Sequence, residues 1–295
     1  ILRAMGDSTG PLVFLVISAI LNIGGDLLFV AELGWGIRGA AFSTVLCEAI
    51  SCLFCGLYIH RKVPILRLGK EWLMFDRSLF KTTVAYGWTS AMQQATVQLG
   101  KIGVQAIINT MGVSVMAAFT IVNRLDDFAM TPQQNIGHAM TSFMAINRGA
   151  GKKERMWEGF RKGMGIEAVY GLVVALIGFF GARTLVGLST MDESVLKEGI
   201  SYMRLISWMY LLPAMTNGIQ GFFRGVGDLK ITLISSMVNM GVRVLLVWLL
   251  VQLAHLGIES VPFGSLGGWI GMFIVEIPLL FRKWREYGTE NQGKS

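Results

Sequence analysis

The chain has 295 residues, 53% of them hydrophobic and only 15% charged, with a mean hydropathy of +0.55. A soluble domain carries about a quarter charged residues, so this composition excludes an ordinary soluble fold and points to a polytopic membrane protein whose apolar residues gather into spans of about 20. The net charge of +7 does not signal nucleic acid, because the Lys and Arg residues fill gaps between apolar runs rather than interleaving with exposed aromatics on one face.

In chain order, helices are expected over about 11–31, 37–59, 79–109, 113–147, 163–187, 194–222, 229–254 and 264–282, each apolar over a span's length. Pro11 suits the first turn of the first helix. A basic amphipathic stretch covers about 60–78, and a polar tail follows Arg285. Alternating the spans from an inside start places Arg61, Lys62, Arg67, Lys70, Arg77 and Lys81 inside. Arg148, Lys152, Lys153, Arg155, Arg161 and Lys162 fall inside as well, as do Arg282, Lys283 and Arg285. Outside fall only Arg38, Arg183 and Lys197. The positive-inside rule then makes both ends cytoplasmic. The expected organisation is 1–60, the last two helices of an N-terminal lobe; 61–78, a cytoplasmic inter-lobe linker; 79–284, a six-helix C-terminal lobe; and 285–295, a cytoplasmic tail.

An internal repeat supports two halves. Residues 3–7 read RAMGD and residues 224–228 read RGVGD. Each opens an apolar helix followed by a glycine-rich outer loop, GWGIRG or FGSLGG, and one more helix. Two halves of one plan are typical of secondary transporters. The second half has a long stretch before its motif and the first has two residues, and the chain begins ILRAMG without an initiator Met. The expectation is an N-terminally truncated protein, lacking roughly 150 residues, with eight of about twelve spans present.

The polar residues inside spans carry the chemistry. The run SAILNIGGDLLFV, residues 18–30, contains Asn22 and Asp26. A carboxylate at lipid depth is costly and marks a functional site by default. Asn22 and Asp26 lie four apart on one helix face, and Thr44 on the next helix adds a hydroxyl. These are the oxygen types a hard cation such as Na⁺ requires. Glu48, four residues after Thr44, is a second carboxylate for proton coupling or a pore-lining group. Aligned from the two GD pairs, Ser18 faces Asn239, Asn22 faces Arg243 and Asp26 faces Val247. Coupling is therefore expected in the first lobe alone, and Arg243 needs an anion the sequence does not name.

On 79–109, Ser90, Gln94, Gln98, Lys101 and Gln105 share one face. That stripe either bonds neighbouring helices or walls a substrate cavity. Lys101 should pair with Asp126 or Asp127 on the next helix. Pro132 and Pro213 interrupt long spans. Met116, Met130, Met140 and Met144 are either a soft substrate wall or packing. Cys47, Cys52 and Cys55 are read as packing, with no second pair to complete a metal or redox motif. No nucleophile elbow, H-E-x-x-H helix or phosphate loop points to an enzyme.

Three stretches carry a family resemblance. RAMGDSTGPL…NIGGD resembles the fourth-to-fifth helix junction of MATE (multidrug and toxic compound extrusion) transporters. MGVSVMAAFTIVNRLDDFAMTPQQNIGHAMTSFMAINRGAGKKER resembles their seventh-to-eighth helix region. FFRGVGDLKITLISSMVNMGVRVLL resembles the tenth-to-eleventh junction. The resemblance implies an all-α fold of two pseudo-symmetric six-helix lobes in the cell membrane. It implies export of organic, often cationic, drugs or metabolites in exchange for Na⁺ or H⁺, with no other cofactor. Asn22, Asp26 and Thr44 match a cation site in the N-terminal lobe of some members. Gln94, Gln98, Lys101, Gln105, Asp126, Asp127 and Arg243 are the expected cavity residues. The expected partners are small organic substrates and the bilayer, not nucleic acid, with the full-length protein a monomer. The alternatives are a lipid-linked precursor flippase of the same superfamily and a non-transporting membrane partner.

Overall fold

A computed structural model describes residues 2, 7, 9–63 and 75–289. The expected basic stretch and linker at 61–78, the first repeat's RAMG and the end of the tail lie largely outside the described residues. The chain forms two compact units, Ile1–Phe80 and Lys81–Ser295.

The N-terminal unit is a pair of helices. α1 (Thr9–Asp26) starts where Asp7 Oδ1 accepts the Thr9 and Gly10 amides at 3.1 and 2.9 Å, satisfying two of the orphan donors of a helix start. The Tyr58 hydroxyl donates to Asp7 Oδ2 at 2.8 Å. The Gly10 amide, and after it that hydroxyl, hold the Asp7 carboxyl below its ordinary range. Past Asp26 the chain does not continue as α-helix, as the apolar run to 31 suggested. Leu27–Glu32 winds as a π-helix, and the Leu33 amide reaches back five residues to the Leu28 carbonyl at 2.9 Å. Gly34 and Gly36, at φ 65° and 56°, turn the chain into α2 (Gly36–Lys62).

The C-terminal unit holds α3 (Arg77–Ile108, whose first turn belongs to the other unit), α4 (Val113–Gly149), α5 (Lys153–Gly187), α6 (Glu193–Ser207), α7 (Leu211–Gly225), α8 (Leu229–Gln252) and α9 (Ser260–Thr289). α5 begins almost three turns before 163, at Lys153, carrying its basic first turns as helix. The span expected over 194–222 is two helices, because Pro213 has no N–H for the Met209 carbonyl. The Leu212 amide takes that carbonyl instead, at 2.9 Å. Pro132, by contrast, sits inside a continuous α4. One residue from the carbonyl it leaves open, the Thr131 hydroxyl donates to the Asp127 carbonyl at 2.6 Å.

The R-x-x-G-D motif is a helix-to-helix corner. At the end of α7, Gly227 takes φ 76°, which favours glycine. The Asp228 amide bonds back to the Phe223 carbonyl at 2.8 Å, closing the helix. Arg148 at the end of α4 donates to the Val226 carbonyl of the same corner. The Asp228 carboxylate then meets Lys283 of α9 at 3.2 Å. Asp7 does the matching task for α1 and α2, with Tyr58 in place of the lysine.

Polarity is inverted relative to a soluble bundle. Leu172, Leu176, Ile177 and Phe180 of α5 and Ile270, Ile274 and Phe281 of α9 are exposed, while Gln133, Glu167, Ser235 and Glu276 are fully buried. Five of the described helices are long and apolar enough to cross a bilayer, namely α1 with its π segment, α2, α5, α8 and α9. At the heart of the unit, α4 and α7 touch backbone to backbone. A Cβ on Gly221 would lie 2.6 Å from the Gly137 carbonyl oxygen, and one on Gly225 would lie 2.4 Å from Met144 Cβ. Met140 and Met144, 5% and 0% exposed, fill the ridge beside these glycines; packing, not a substrate wall, is what this half of the methionine stripe does.

Gly225→Leu should therefore lower stability by roughly 1–3 kcal/mol, read as a fall in the thermal unfolding midpoint of the purified protein. Gly241→Ala, which meets nothing within 4 Å, should leave that midpoint unchanged or raise it slightly.

Candidate functional site

In the N-terminal unit the structure brings Asn22 and Thr44 together. Asn22 Nδ2 lies 3.3 Å from Thr44 Oγ1 and 3.5 Å from Ser43 Oγ, and Ser43 returns a bond to the Asn22 carbonyl at 3.3 Å. This approach depends on Gly25, where a Cβ would stand 2.4 Å from Ser43 Oγ. Ser43 itself is fully buried and was not singled out in the sequence; its serine-to-glycine contact leaves no periodic signal. Asp26 stands one turn after Asn22, and its Oδ1 is buried with no hydrogen-bond partner. The π-helix begins at the next residue, and such insertions concentrate at functional sites. Glu48 shares the exposed face of Thr44, and no described bond ties it to Asp26.

The C-terminal unit answers the question of Arg243. Half-buried on α8, with its Nε unpartnered, Arg243 lies close enough to Asp126 of α4 to act on its charge, as do Lys101 and Asp127. Asp126 accepts the Tyr210 hydroxyl. Tyr210 sits in the break between α6 and α7, and its carbonyl receives Gln133 Nε2 of α4 at 3.3 Å. Two bonds from α4 thus hold the broken span. Beside them Tyr202 is fully buried with its hydroxyl unpartnered.

Of the two pairings open to Lys101, the structure shows Asp127, at 3.8 Å. Both side chains are mostly exposed, 58% and 74%. The pair is one of the two the sequence offered. The stripe on α3 turns outward as well: Ser90, Gln94 and Gln98 are exposed, and Gln105 bonds along its own helix, to Asn109 at 2.8 Å. Interhelical bonding from α3 comes instead from Gln93, which the stripe omitted. It is 7% exposed, donating to Ser236 Oγ at 2.9 Å and Gln220 Oε1 at 3.3 Å. Two buried acids were also passed over, Glu167 of α5 and Glu276 of α9. Each interrupts an apolar run as Asp26 does, so the signal was present. The cysteines are free thiols.

With this architecture described, comparison with known proteins places it. The MatE family model matches residues 90–249, more than half of the chain, and the protein belongs to that family. It is similar to the probable multidrug resistance protein YoeA of Bacillus subtilis, with 26% identity over 95% of this chain and 61% of the relative. It is similar also to the probable multidrug resistance protein NorM of Thermotoga maritima, at 23% identity over 92% and 58%. A solved MATE structure in the straight conformation superposes with a TM-score of 0.91 at 21% identity, covering 98% of this chain and 65% of that one. The chain thus spans about three fifths of these relatives, and it is a multi-pass membrane protein of their fold.

The two carboxylates of α4 should behave differently in unfolding measurements. Tyr210→Phe, which strips a buried bond from Asp126, should cost roughly 1–3 kcal/mol. A double-mutant cycle of Lys101→Met with Asp127→Asn should show coupling below about 1 kcal/mol, as for exposed pairs.

Proposed function

We propose that the protein is a cation-coupled antiporter that exports organic, mainly cationic, drugs or metabolites by alternating access, with Na⁺ or H⁺ as the driving ion. The observation that carries this reading is the unpartnered, buried Oδ1 of Asp26. It lies one helical turn from an Asn22 amide that is already turned toward Thr44 and Ser43. A carboxylate kept in apolar surroundings with an open oxygen is destabilising unless a proton or metal cation joins it. The neighbouring carbonyl and hydroxyl oxygens are the ligands such an ion uses. Thr44 contributes its hydroxyl, and Glu48 on the same exposed face lines the ion's path.

Substrate contact falls to the outward stripe of α3, Gln94, Gln98, Lys101 and Gln105, with Asp126, Asp127 and Arg243. Neutral amides accept varied ligands without fixing one orientation, and the acids favour cations. The mixed charge of this set weighs against a lipid-linked precursor flippase, whose anionic cargo calls for an uncompensated basic surface. Relatives named as multidrug resistance proteins support the export reading. We place the protein in the cell membrane, as a monomer with both ends cytoplasmic.

Reconstitution of the complete gene product in vesicles tests this. Drug-dependent Na⁺ or H⁺ flux is expected, and Asp26→Asn should abolish it while leaving the unfolding midpoint unchanged. Wild-type flux in that variant would remove Asp26 from the mechanism.

A further inference from the structure

The interior of the C-terminal unit holds a carboxylate that this reading does not use. Glu276, midway along α9, is 0% exposed. Its Oε1 accepts the Ser235 hydroxyl at 2.8 Å and Gln220 Nε2 at 3.3 Å. Its Oε2 is buried and has no partner. The cation that acts on it is Arg224 of α7, yet the guanidinium does not bond the carboxylate. Arg224 Nη2 donates to Gln220 Oε1 at 2.9 Å, so an amide separates the two charges. The same amide oxygen receives Gln93 of α3. Three helices, α3, α7 and α8, therefore reach the acid of α9 through neutral intermediaries.

Other charges on the helices packed against α9 are engaged elsewhere. Asp228, just ahead of α8, pairs with Lys283; Lys230 is exposed; Arg243 acts on Asp126. From α6, Arg204 sits over the Phe179 ring at 5.9 Å. Ser201 of α6 meets Glu259, just before α9, at 3.0 Å. Glu276 is thus only partly neutralised as a carboxylate, with its buried Oε2 unpartnered. A sodium ion would need several free oxygens there, but Gln220 Oε1 already accepts two donors and only Oε2 is open. A proton needs one oxygen.

We infer that Glu276 is a proton-binding site of the C-terminal unit, loaded and unloaded separately from Asp26. Its protonation stands on the geometry alone; its use in the transport cycle rests on the antiport reading. When the proton leaves, the carboxylate attracts Arg224 past Gln220, so the state of Glu276 is transmitted to the inner end of α7 and the corner that follows it.

Infrared difference spectroscopy of the purified complete gene product across pH reads this directly. A protonated-carboxyl band that fades as pH rises is expected in the wild type and in Asp26→Asn. It should persist in Glu167→Gln, which removes the other fully buried carboxyl among the described residues and any band of its own, and be lost when Glu276→Gln is added to that variant. Ser235→Ala, which removes one donor to Oε1, should shift the band, and it serves as the readout should Glu276→Gln fail to fold. In the Glu167→Gln background, a band that is absent, that ignores pH, that survives the added Glu276→Gln or is unmoved by Ser235→Ala, or that sodium displaces at fixed pH overturns the assignment. Loss of flux in Asp26→Asn is measured separately, so either reading can fail alone.

Discussion

The contact between the backbones of α4 and α7 at Gly137 and Gly221 sets where the polar groups of the C-terminal unit fall. No side chain stands between these helices there, and small residues are what permit such approach where lipid surrounds the bundle and hydrophobic burial between helices is weak. With the helices this close, Gln133 reaches the Tyr210 carbonyl and Asp126 receives the Tyr210 hydroxyl. The break at Pro213 is tolerable because the groups it exposes are taken up by α4 and by the local turn, as membrane-depth backbone requires.

The repeated motif and the residues that follow it serve different ends. In the second repeat Gly227 ends α7 and Asp228 ties the start of α8 to Lys283 of α9; in the first, Asp7 ties the start of α1 to Tyr58 of α2. This is architecture, and both halves keep it. About four turns further on the halves diverge. Asn22 and Asp26 bring oxygens into α1, whereas the aligned positions in α8 are Arg243 and Val247. The guanidinium lies close enough to Asp126 of α4 to act on its charge.

Most helices and the corner were legible in the sequence because both rest on local rules: apolar runs for the helices, glycine and aspartate chemistry for the corner. The two prolines show where such rules stop. Pro132 and Pro213 are alike in sequence, yet only the second breaks its helix. The outcome depends on which distant or neighbouring groups take the freed carbonyls, and sequence spacing does not show them. The α3 stripe misled for a related reason. Five polar residues at helical spacing define a face, but not whether the face meets protein. Gln93, one position off that face, makes the interhelical bonds. Of the candidate site, the Asn22–Thr44 approach and the Lys101–Asp127 pair could be anticipated from side-chain type and helix order. Ser43 could not, since its position depends on the missing side chain of Gly25.

Magnitudes separate the polar groups that hold the fold from those that are free to act. Exposed pairs such as Lys101–Asp127 are worth little, so α3 and α4 are not positioned by it. Tyr210 and Gln133 satisfy buried groups, and losing either leaves an orphan at a cost of about 1–3 kcal/mol. Asp26 and Glu276 fit neither class. A buried acid kept only for structure gains by bonding both oxygens, and replacing it with an apolar residue of similar volume is often neutral or stabilising. Each of these instead retains an open oxygen in the interior, a net cost to the folded state. Binding a proton or metal cation at that oxygen offsets the cost only while the ion is present. On the proposed antiport reading, the stability of the surrounding helices would thereby be linked to ion occupancy, the condition for an ion to bias one conformation of a carrier over another.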